Sequence, residues 1–266
     1  MTSKQLVFQN TTQHYRVTGE GKLVVLLHGF GEDSSIWDDI AVALTGNYRL
    51  LIPDLPGTGA SAAIAGANIG LETYAEIIKQ ILTTENCTQC TMIGHSMGGY
   101  ITLAFAEKYP EMLHAIGLFH SSAYADDETK IETRKKAIAF IKDNGVNAFL
   151  KTSTAGLFKD AEKSKTEIEQ LIEKGNAFTP DTLIQYYEAM IQRPDRTEIL
   201  KTFSGPVMFM LGSHDKAVPF EQGLEQSHLP ALSHVFILRE SGHMGMIEEA
   251  EKSLLNLEHF LEAIYV

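Results

Sequence analysis

Short runs of consecutive apolar residues recur along the chain and alternate with segments of helical periodicity. The runs cover residues 23–27, 50–52, 90–93, 115–119, 207–211 and 235–238. A strand covered by helices on both faces is apolar at every position, so these runs predict a buried, mostly parallel sheet. Helices between consecutive parallel strands form right-handed crossovers on both faces of such a sheet. The pattern therefore predicts an α/β fold.

Two parts of the chain depart from this alternation of strand and helix patterns. Residues 6–8 and 13–17 alternate between apolar and polar, which predicts an antiparallel hairpin at one edge of the sheet. Residues 123–202 contain no strand-like run, and their apolar positions follow helical spacing. We expect residues 123–202 to form a helical cap, or lid, inserted into a core made of residues 1–122 and 203–266.

The clearest chemical signal is the sequence Gly94-His95-Ser96-Met97-Gly98, which has the pattern G-x-S-x-G. It follows the apolar run 90–93 and precedes a helical segment. A serine on so sharp a turn is lifted into the open at a helix N-terminus, where developing negative charge is favoured. We interpret Ser96 as a nucleophile rather than as an incidental serine in a glycine-rich turn.

A serine hydroxyl is a poor nucleophile at neutral pH and needs a base to take its proton. His243 follows the predicted strand 235–238 and comes last in the order Ser, Asp, His that this kind of turn requires. Asp215 follows the run 207–211 and is expected to orient and stabilise the His243 imidazole. Asp126 and Asp127 are weaker rivals, because they lie several residues beyond the nearest predicted strand.

Two main-chain amides are expected to stabilise the oxyanion of a tetrahedral intermediate. One is the N–H of Met97, directly after the nucleophile. The other is the N–H of Phe30, in the loop after the run 23–27, where the glycines on either side let the amide turn inward.

With these segments the chain resembles the α/β-hydrolase superfamily, in the branch whose helical cap precedes the acid. The resemblance rests on residues 28–31, 54–61, 94–98, 212–215 and 242–243. It implies that Ser96 is the nucleophile, His243 the base and Asp215 its orienting acid, with Phe30 and Met97 as the oxyanion amides. One departure is Pro56, which stands where many members carry arginine.

By this resemblance the chain is expected to be a carboxylic ester hydrolase that forms an acyl-enzyme on Ser96 and needs no cofactor or metal. Two alternatives stay open: a lyase, synthase or C–C bond hydrolase with the same triad, and a non-catalytic ligand receptor. Substrates of the first alternative often carry carboxylates, so a cation would have to face the pocket. The candidates are Arg134, Arg193 and Arg196, which we expect to be exposed to solvent instead.

Aromatic and methionine side chains of the cap and core could furnish an apolar pocket, although packing is their commoner role. The candidates are Phe149, Phe158, Tyr186, Tyr187, Met190, Trp37 and Met244.

Charge and cysteine spacing narrow the possible partners. The 266 residues include 34 acidic and 22 basic ones, and a net charge of −12 argues against binding to nucleic acid or anionic membranes. We therefore expect a small-molecule substrate. Since no long apolar segment occurs, we also expect a cytoplasmic location, and the oligomeric state stays open.

Cys87 and Cys90 are spaced C-x-x-C but lead into a strand, so we expect no redox or metal site there.

Overall fold

A single eight-stranded sheet organises the computed structural model, which describes residues 1–66 and 69–265. Its strands are β1 (Thr2–Phe8), β2 (Thr11–Thr18), β3 (Lys22–Leu27), β4 (Tyr48–Pro53), β5 (Cys90–His95), β6 (Leu113–Phe119), β7 (Val207–Gly212) and β8 (Ser233–Leu238). Their order across the sheet is β1-β2-β4-β3-β5-β6-β7-β8. The β1–β2 hairpin pairs antiparallel with β4, and β3 to β8 are parallel. The predicted fold class is confirmed.

Helices cover both faces of this sheet. They are α1 (Asp38–Leu44), α2 (Leu71–Thr84), α3 (Met97–Lys108), α4 (Glu128–Ser153), α5 (Lys165–Gly175), α6 (Pro180–Gln192), α7 (Thr197–Thr202), α8 (Phe220–Gln226), α9 (Gly245–Glu248) and α10 (Ala250–Ile264). In β3, Val25 packs with α2 and α3 on one face, and Val24 packs with α1 and α10 on the other. This two-sided burial explains why the strands are apolar at every position.

The segment between β6 and β7 consists of α4 to α7 and short turns, and every residue of it is described. Thr179 caps α6 by accepting a hydrogen bond from the Thr182 amide, and Pro180 is the first helical residue. α4 bends at Gly145, whose φ is 81°. α6 is attached to the rest of the molecule through the Tyr186 hydroxyl, which donates a hydrogen bond of 2.8 Å to the Pro56 carbonyl.

Both cysteines are free thiols, Cys87 half-buried and Cys90 buried at the start of β5. Burial raises the pKa of both thiols, which disfavours the thiolate that redox or metal chemistry needs. Among the residues that the structure describes, no helix has both the length and the apolar character needed to cross a bilayer.

Candidate active site

Ser96 is the single residue between the end of β5 at His95 and the start of α3 at Met97. Its backbone has φ 50° and ψ −116°, a strained conformation for a residue with a side chain. The Ser96 amide donates to the Phe119 carbonyl at 2.9 Å, and the Ser121 hydroxyl donates to the Ser96 carbonyl at 2.7 Å. These bonds to β6 and the residues after it hold the strained turn in place.

Gly94 and Gly98 allow the backbone segments around this turn to approach closely. A Cβ atom on Gly94 would lie 2.1 Å from the carbonyl carbon of Gly98. A Cβ atom on Gly98 would lie 2.5 Å from the carbonyl oxygen of Leu27 in β3. Both contacts are with backbone that cannot move aside, so the G-x-S-x-G pattern is a packing requirement here.

His243 and Asp215 lie on loops that follow β8 and β7, and their side chains meet. Nδ1 of His243 is 2.8 Å from Oδ2 of Asp215, and both residues are buried. The other carboxylate oxygen of Asp215 accepts hydrogen bonds of 2.8 Å from the amides of Ala217 and Val218. These three contacts fix the carboxylate plane and thereby orient the imidazole.

The charge state of Asp215 follows from its neighbours. Burial alone would raise the pKa of this carboxyl, but the attraction of the His243 ring and its hydrogen bond, together with the nearby His120 ring, outweigh burial and hold the pKa well below its usual range. An ionised carboxylate only accepts hydrogen bonds, so Nδ1 of His243 carries the proton. In the neutral imidazole, Nε2 of His243 is then the ring nitrogen with a free lone pair.

Ser96 and His243 line one cavity of about 150 Å³ at the C-terminal edge of the parallel strands, which is where α/β folds bind ligands. The remaining lining residues are Phe30, Glu32, Tyr100, Arg134, Leu157, Tyr187, Met190, Ala217 and Val218. Met97 begins α3, so its N–H has no acceptor within the helix. Of the five residues expected from the sequence, Phe30, Ser96 and His243 line this cavity, Asp215 contacts His243, and Met97 directly follows Ser96.

A buried ion pair behind the turn was not predicted from the sequence. Oε2 of Glu32 accepts a hydrogen bond of 2.7 Å from the Gly29 amide, and Oε1 lies 3.0 Å from Nδ1 of His95. Nε2 of His95 lies 3.0 Å from the His243 carbonyl. Burial opposes charge on both side chains, but their mutual attraction lowers the pKa of Glu32 and raises that of His95. His95 therefore connects the Glu32 loop to the loop of His243.

His120 is a second unpredicted neighbour, on the backbone directly after β6 with φ 48°. Its Nδ1 lies 3.3 Å from Oδ2 of Asp215, and burial lowers the pKa of His120 to about 4. His120, Asp215 and His243 offer three possible metal-ligand atoms within 4.8 Å of one another. A metal bound there would have to break the hydrogen bond between Asp215 and His243.

The expectation that the three arginines are exposed to solvent is wrong. Arg193 and Arg196 are buried, and Arg134 lines the cavity. The reason is the position of acidic partners: Asp126 binds both Arg134 and Arg193, and Arg196 pairs with Glu72 and Glu107. Asp126 is therefore occupied by arginines and makes no contact with His243.

Of the apolar side chains named as pocket candidates, Tyr187 and Met190 line the cavity beside Ser96. Met244 lines a smaller neighbouring cavity together with Phe30. Phe149 packs edge-to-face on Phe30. The remaining three are buried in the hydrophobic core: Trp37, Phe158 and Tyr186.

Comparison with known proteins agrees with this fold. A family model described as alpha/beta hydrolase fold matches residues 22–250. The chain therefore belongs to the alpha/beta hydrolase fold family, and it is an enzyme of the hydrolase class.

Individual relatives cover nearly the whole chain. A 2-hydroxy-6-oxononadienedioate/2-hydroxy-6-oxononatrienedioate hydrolase from Paraburkholderia phymatum is 28% identical, over 93% of this chain and 90% of the relative. A pimeloyl-[acyl-carrier protein] methyl ester esterase from Aeromonas hydrophila is 27% identical, over 91% of this chain and 96% of the relative. The structure of a thermophilic esterase from Thermogutta terrifontis superimposes with a TM-score of 0.93 at 23% identity, over 100% of both chains, which establishes the shared fold.

Proposed function

We propose that this enzyme is a serine-dependent carboxylic ester hydrolase that acts on a small to medium acyl substrate. The observation that carries the proposal is one cavity lined by both Ser96 and His243, with Nδ1 of His243 2.8 Å from the Asp215 carboxylate. The esterase relative from Aeromonas hydrophila supports the choice of an ester as the substrate.

The proposed reaction has two halves. Nε2 of His243 takes the proton of the Ser96 hydroxyl as Oγ attacks the ester carbonyl, and the Asp215 carboxylate stabilises the resulting imidazolium. The oxyanion of the tetrahedral intermediate accepts hydrogen bonds from the amides of Phe30 and Met97. The alcohol leaves with the proton from His243, and an acyl ester remains on Ser96. A water molecule, deprotonated by His243, then attacks this ester. The bond between the acyl carbon and Oγ of Ser96 breaks, Oγ takes the proton from His243, and the acid is released.

In this proposal residues 123–202 form a lid over a core of residues 1–122 and 203–266. Phe30 in the core contacts Tyr187 in the helical segment with a ring-centre distance of 4.3 Å, so the cavity wall is built from both parts. Substrate size is then selected by the helical segment, and the chemical step depends on the core.

The test is hydrolysis of 4-nitrophenyl esters with acyl chains of two to eight carbons by the wild type, Ser96→Ala and the exposed control Ser3→Ala. We expect kcat of Ser96→Ala to fall by about 10⁴-fold or more, and Ser3→Ala to match the wild type. After treatment of the wild type with a fluorophosphonate, mass spectrometry should find the adduct on Ser96. Undiminished hydrolysis by Ser96→Ala, or tight ester binding without turnover by the wild type, would contradict the proposal.

A second candidate is hydrolysis of a carbon–carbon bond adjacent to a carbonyl, which the relative from Paraburkholderia phymatum suggests. Arg134 in the cavity meets the condition set out above for such substrates. Turnover of a vinylogous 1,5-diketone acid at a higher kcat/KM than any 4-nitrophenyl ester would favour this candidate.

A further inference from the structure

We propose that Arg134 binds a carboxylate carried by the substrate, so that the enzyme prefers half-esters of dicarboxylic acids to neutral esters of the same length. This inference rests on the proposed ester hydrolysis and specifies the substrate class of that site.

The position of Arg134 is the first argument. It lies in α4 before the bend at Gly145, and it lines the cavity that also exposes Ser96 and His243. Its side chain is 18% exposed, and its guanidinium carbon lies 5.6 Å from the centre of the Tyr187 ring, which also lines the cavity. Among the lining residues in the described part of the chain, Arg134 is the one lysine or arginine.

The second argument is an imbalance of charge. Asp126 accepts a hydrogen bond of 2.6 Å from Nε of Arg134 and one of 2.9 Å from Nη2 of Arg193. Two guanidinium groups therefore share a single carboxylate, which leaves one positive charge uncompensated. The other donors of Arg193 are used by the carbonyls of Tyr124 and Met190. Within residues 1–66 and 69–265, Nη1 of Arg134 has no hydrogen-bond partner.

Glu32 is the other charged side chain in the cavity, and it does not cancel Arg134. Its carboxylate is occupied by the Gly29 amide and by His95, which lies within 3.0 Å. The lowered pKa of Glu32 and the raised pKa of His95 make this a pair of opposite charges that is neutral as a unit. The uncompensated charge in the cavity is therefore positive.

The size of the cavity and the geometry of the Arg134 donors limit which ligands can bind. A cavity of about 150 Å³ accepts a group of about six non-hydrogen atoms, such as benzene. A guanidinium binds a carboxylate with two parallel hydrogen bonds, which a lysine ammonium cannot reproduce. Half-esters of succinic or glutaric acid have acyl parts of about seven or eight non-hydrogen atoms that end in a carboxylate, so the acyl part approximately matches the cavity and the alcohol part would extend from it.

The first measurement is binding without turnover. Calorimetry on Ser96→Ala compares monomethyl glutarate with methyl pentanoate, which has the same chain length and no charge. We expect Ser96→Ala to bind the glutarate ester more tightly. Adding Arg134→Gln should weaken that binding by about 10- to 100-fold and leave methyl pentanoate unchanged, since a hydrogen bond to a charged group is lost.

The second measurement is turnover with the Ser96 hydroxyl present. Mono(4-nitrophenyl) glutarate and 4-nitrophenyl pentanoate place the carboxylate on the acyl side, and 4-acetoxybenzoate and its methyl ester place it on the alcohol side. We expect kcat/KM for mono(4-nitrophenyl) glutarate to fall by about 10- to 100-fold in Arg134→Gln, through a raised KM, and kcat/KM for 4-acetoxybenzoate to change less. Arg134→Lys should restore part of it. Lys136→Gln removes a charge from an exposed position of the same helix and should have no effect.

The possible outcomes separate this inference from the proposed function. Equal losses for the charged and neutral ligands, or a wild type with no preference for mono(4-nitrophenyl) glutarate over 4-nitrophenyl pentanoate, would overturn the inference and leave ester hydrolysis intact. An Arg134-dependent preference in calorimetry without hydrolysis of any ester would support the inference and overturn the proposed function. Thermal unfolding of Arg134→Gln checks that α4 remains folded, since Arg193 still pairs with Asp126.

Discussion

Glu32 and His95 form an ion pair behind the Ser96 turn, with Oε1 of Glu32 3.0 Å from Nδ1 of His95 and both side chains buried. Glu32 also holds the Gly29 amide, next to the proposed oxyanion donor Phe30. His95 reaches the carbonyl of His243. One pair of side chains thus connects the loops that carry the proposed donor, nucleophile and base.

Glu32→Gln should therefore lower kcat more than it changes KM. A neutral amide cannot hold the protonated His95, so the Phe30 and His243 loops lose a common anchor. We expect kcat for a 4-nitrophenyl ester to fall by about 10- to 100-fold, the range caused by displacements of about 1 Å. Glu111→Gln, at an exposed carboxylate, is the matched control. Wild-type kcat in Glu32→Gln would show that the pair only supports stability.

His120 makes a prediction about stability and pH. In the unfolded chain this imidazole takes up a proton near its ordinary pKa of 6.5, whereas burial in the folded protein lowers the pKa to about 4. Between these two pH values the unfolded state holds more protons, so the free energy of unfolding falls as the pH falls. The difference between the unfolded and folded pKa values of His120 corresponds to about 3 kcal/mol of unfolding free energy, which is lost once the pH falls below both values.

The check is urea unfolding of the wild type and His120→Asn between pH 8 and pH 4. Asparagine tolerates the positive φ at this position, and it does not titrate. Between pH 6.5 and pH 4, we expect the free energy of unfolding to fall less in His120→Asn than in the wild type, by up to about 3 kcal/mol. Asp215 titrates below this window, because its pKa is held low. Parallel curves for the two proteins would contradict the prediction.

Gly98→Ala should disturb both stability and catalysis. The added methyl group would lie 2.5 Å from the Leu27 carbonyl oxygen and 2.7 Å from that of His28, so β3 or the Ser96 turn must shift. We expect the free energy of unfolding to fall by about 2 kcal/mol or more, with a loss of esterase activity. Gly46→Ala has open space around the new methyl group and should stay within about 0.5 kcal/mol of the wild type. Denaturant unfolding and an ester assay on both variants check this.

The sheet could be predicted because each strand is covered on both faces. Val24 and Val25 point to opposite hydrophobic clusters, so an unbroken apolar run was the correct signature. Ser96, Asp215 and His243 could be predicted for a related reason: each follows a parallel strand, and the ends of parallel strands meet at one edge of the sheet.

The contacts that were not predicted join side chains that no sequence periodicity relates. Arg193 is buried because Asp126, far away along the chain, is folded against it. His120 contacts Asp215 only because β6 and β7 are neighbours in the sheet and the backbone at His120 adopts a positive φ. Such pairings depend on tertiary structure, so composition and spacing gave no sign of them.

The hydrogen bond that attaches α6 to the rest of the molecule restrains outward movement of this helix. Swinging α6 outward would break the buried hydrogen bond from Tyr186 to the Pro56 carbonyl and leave two polar atoms unsatisfied. α4 bends at Gly145, whose positive φ interrupts the helix, and a Cβ added at this residue would meet no atom within 4 Å. Widening of the cavity is therefore expected on the α4 side, which Arg134 lines.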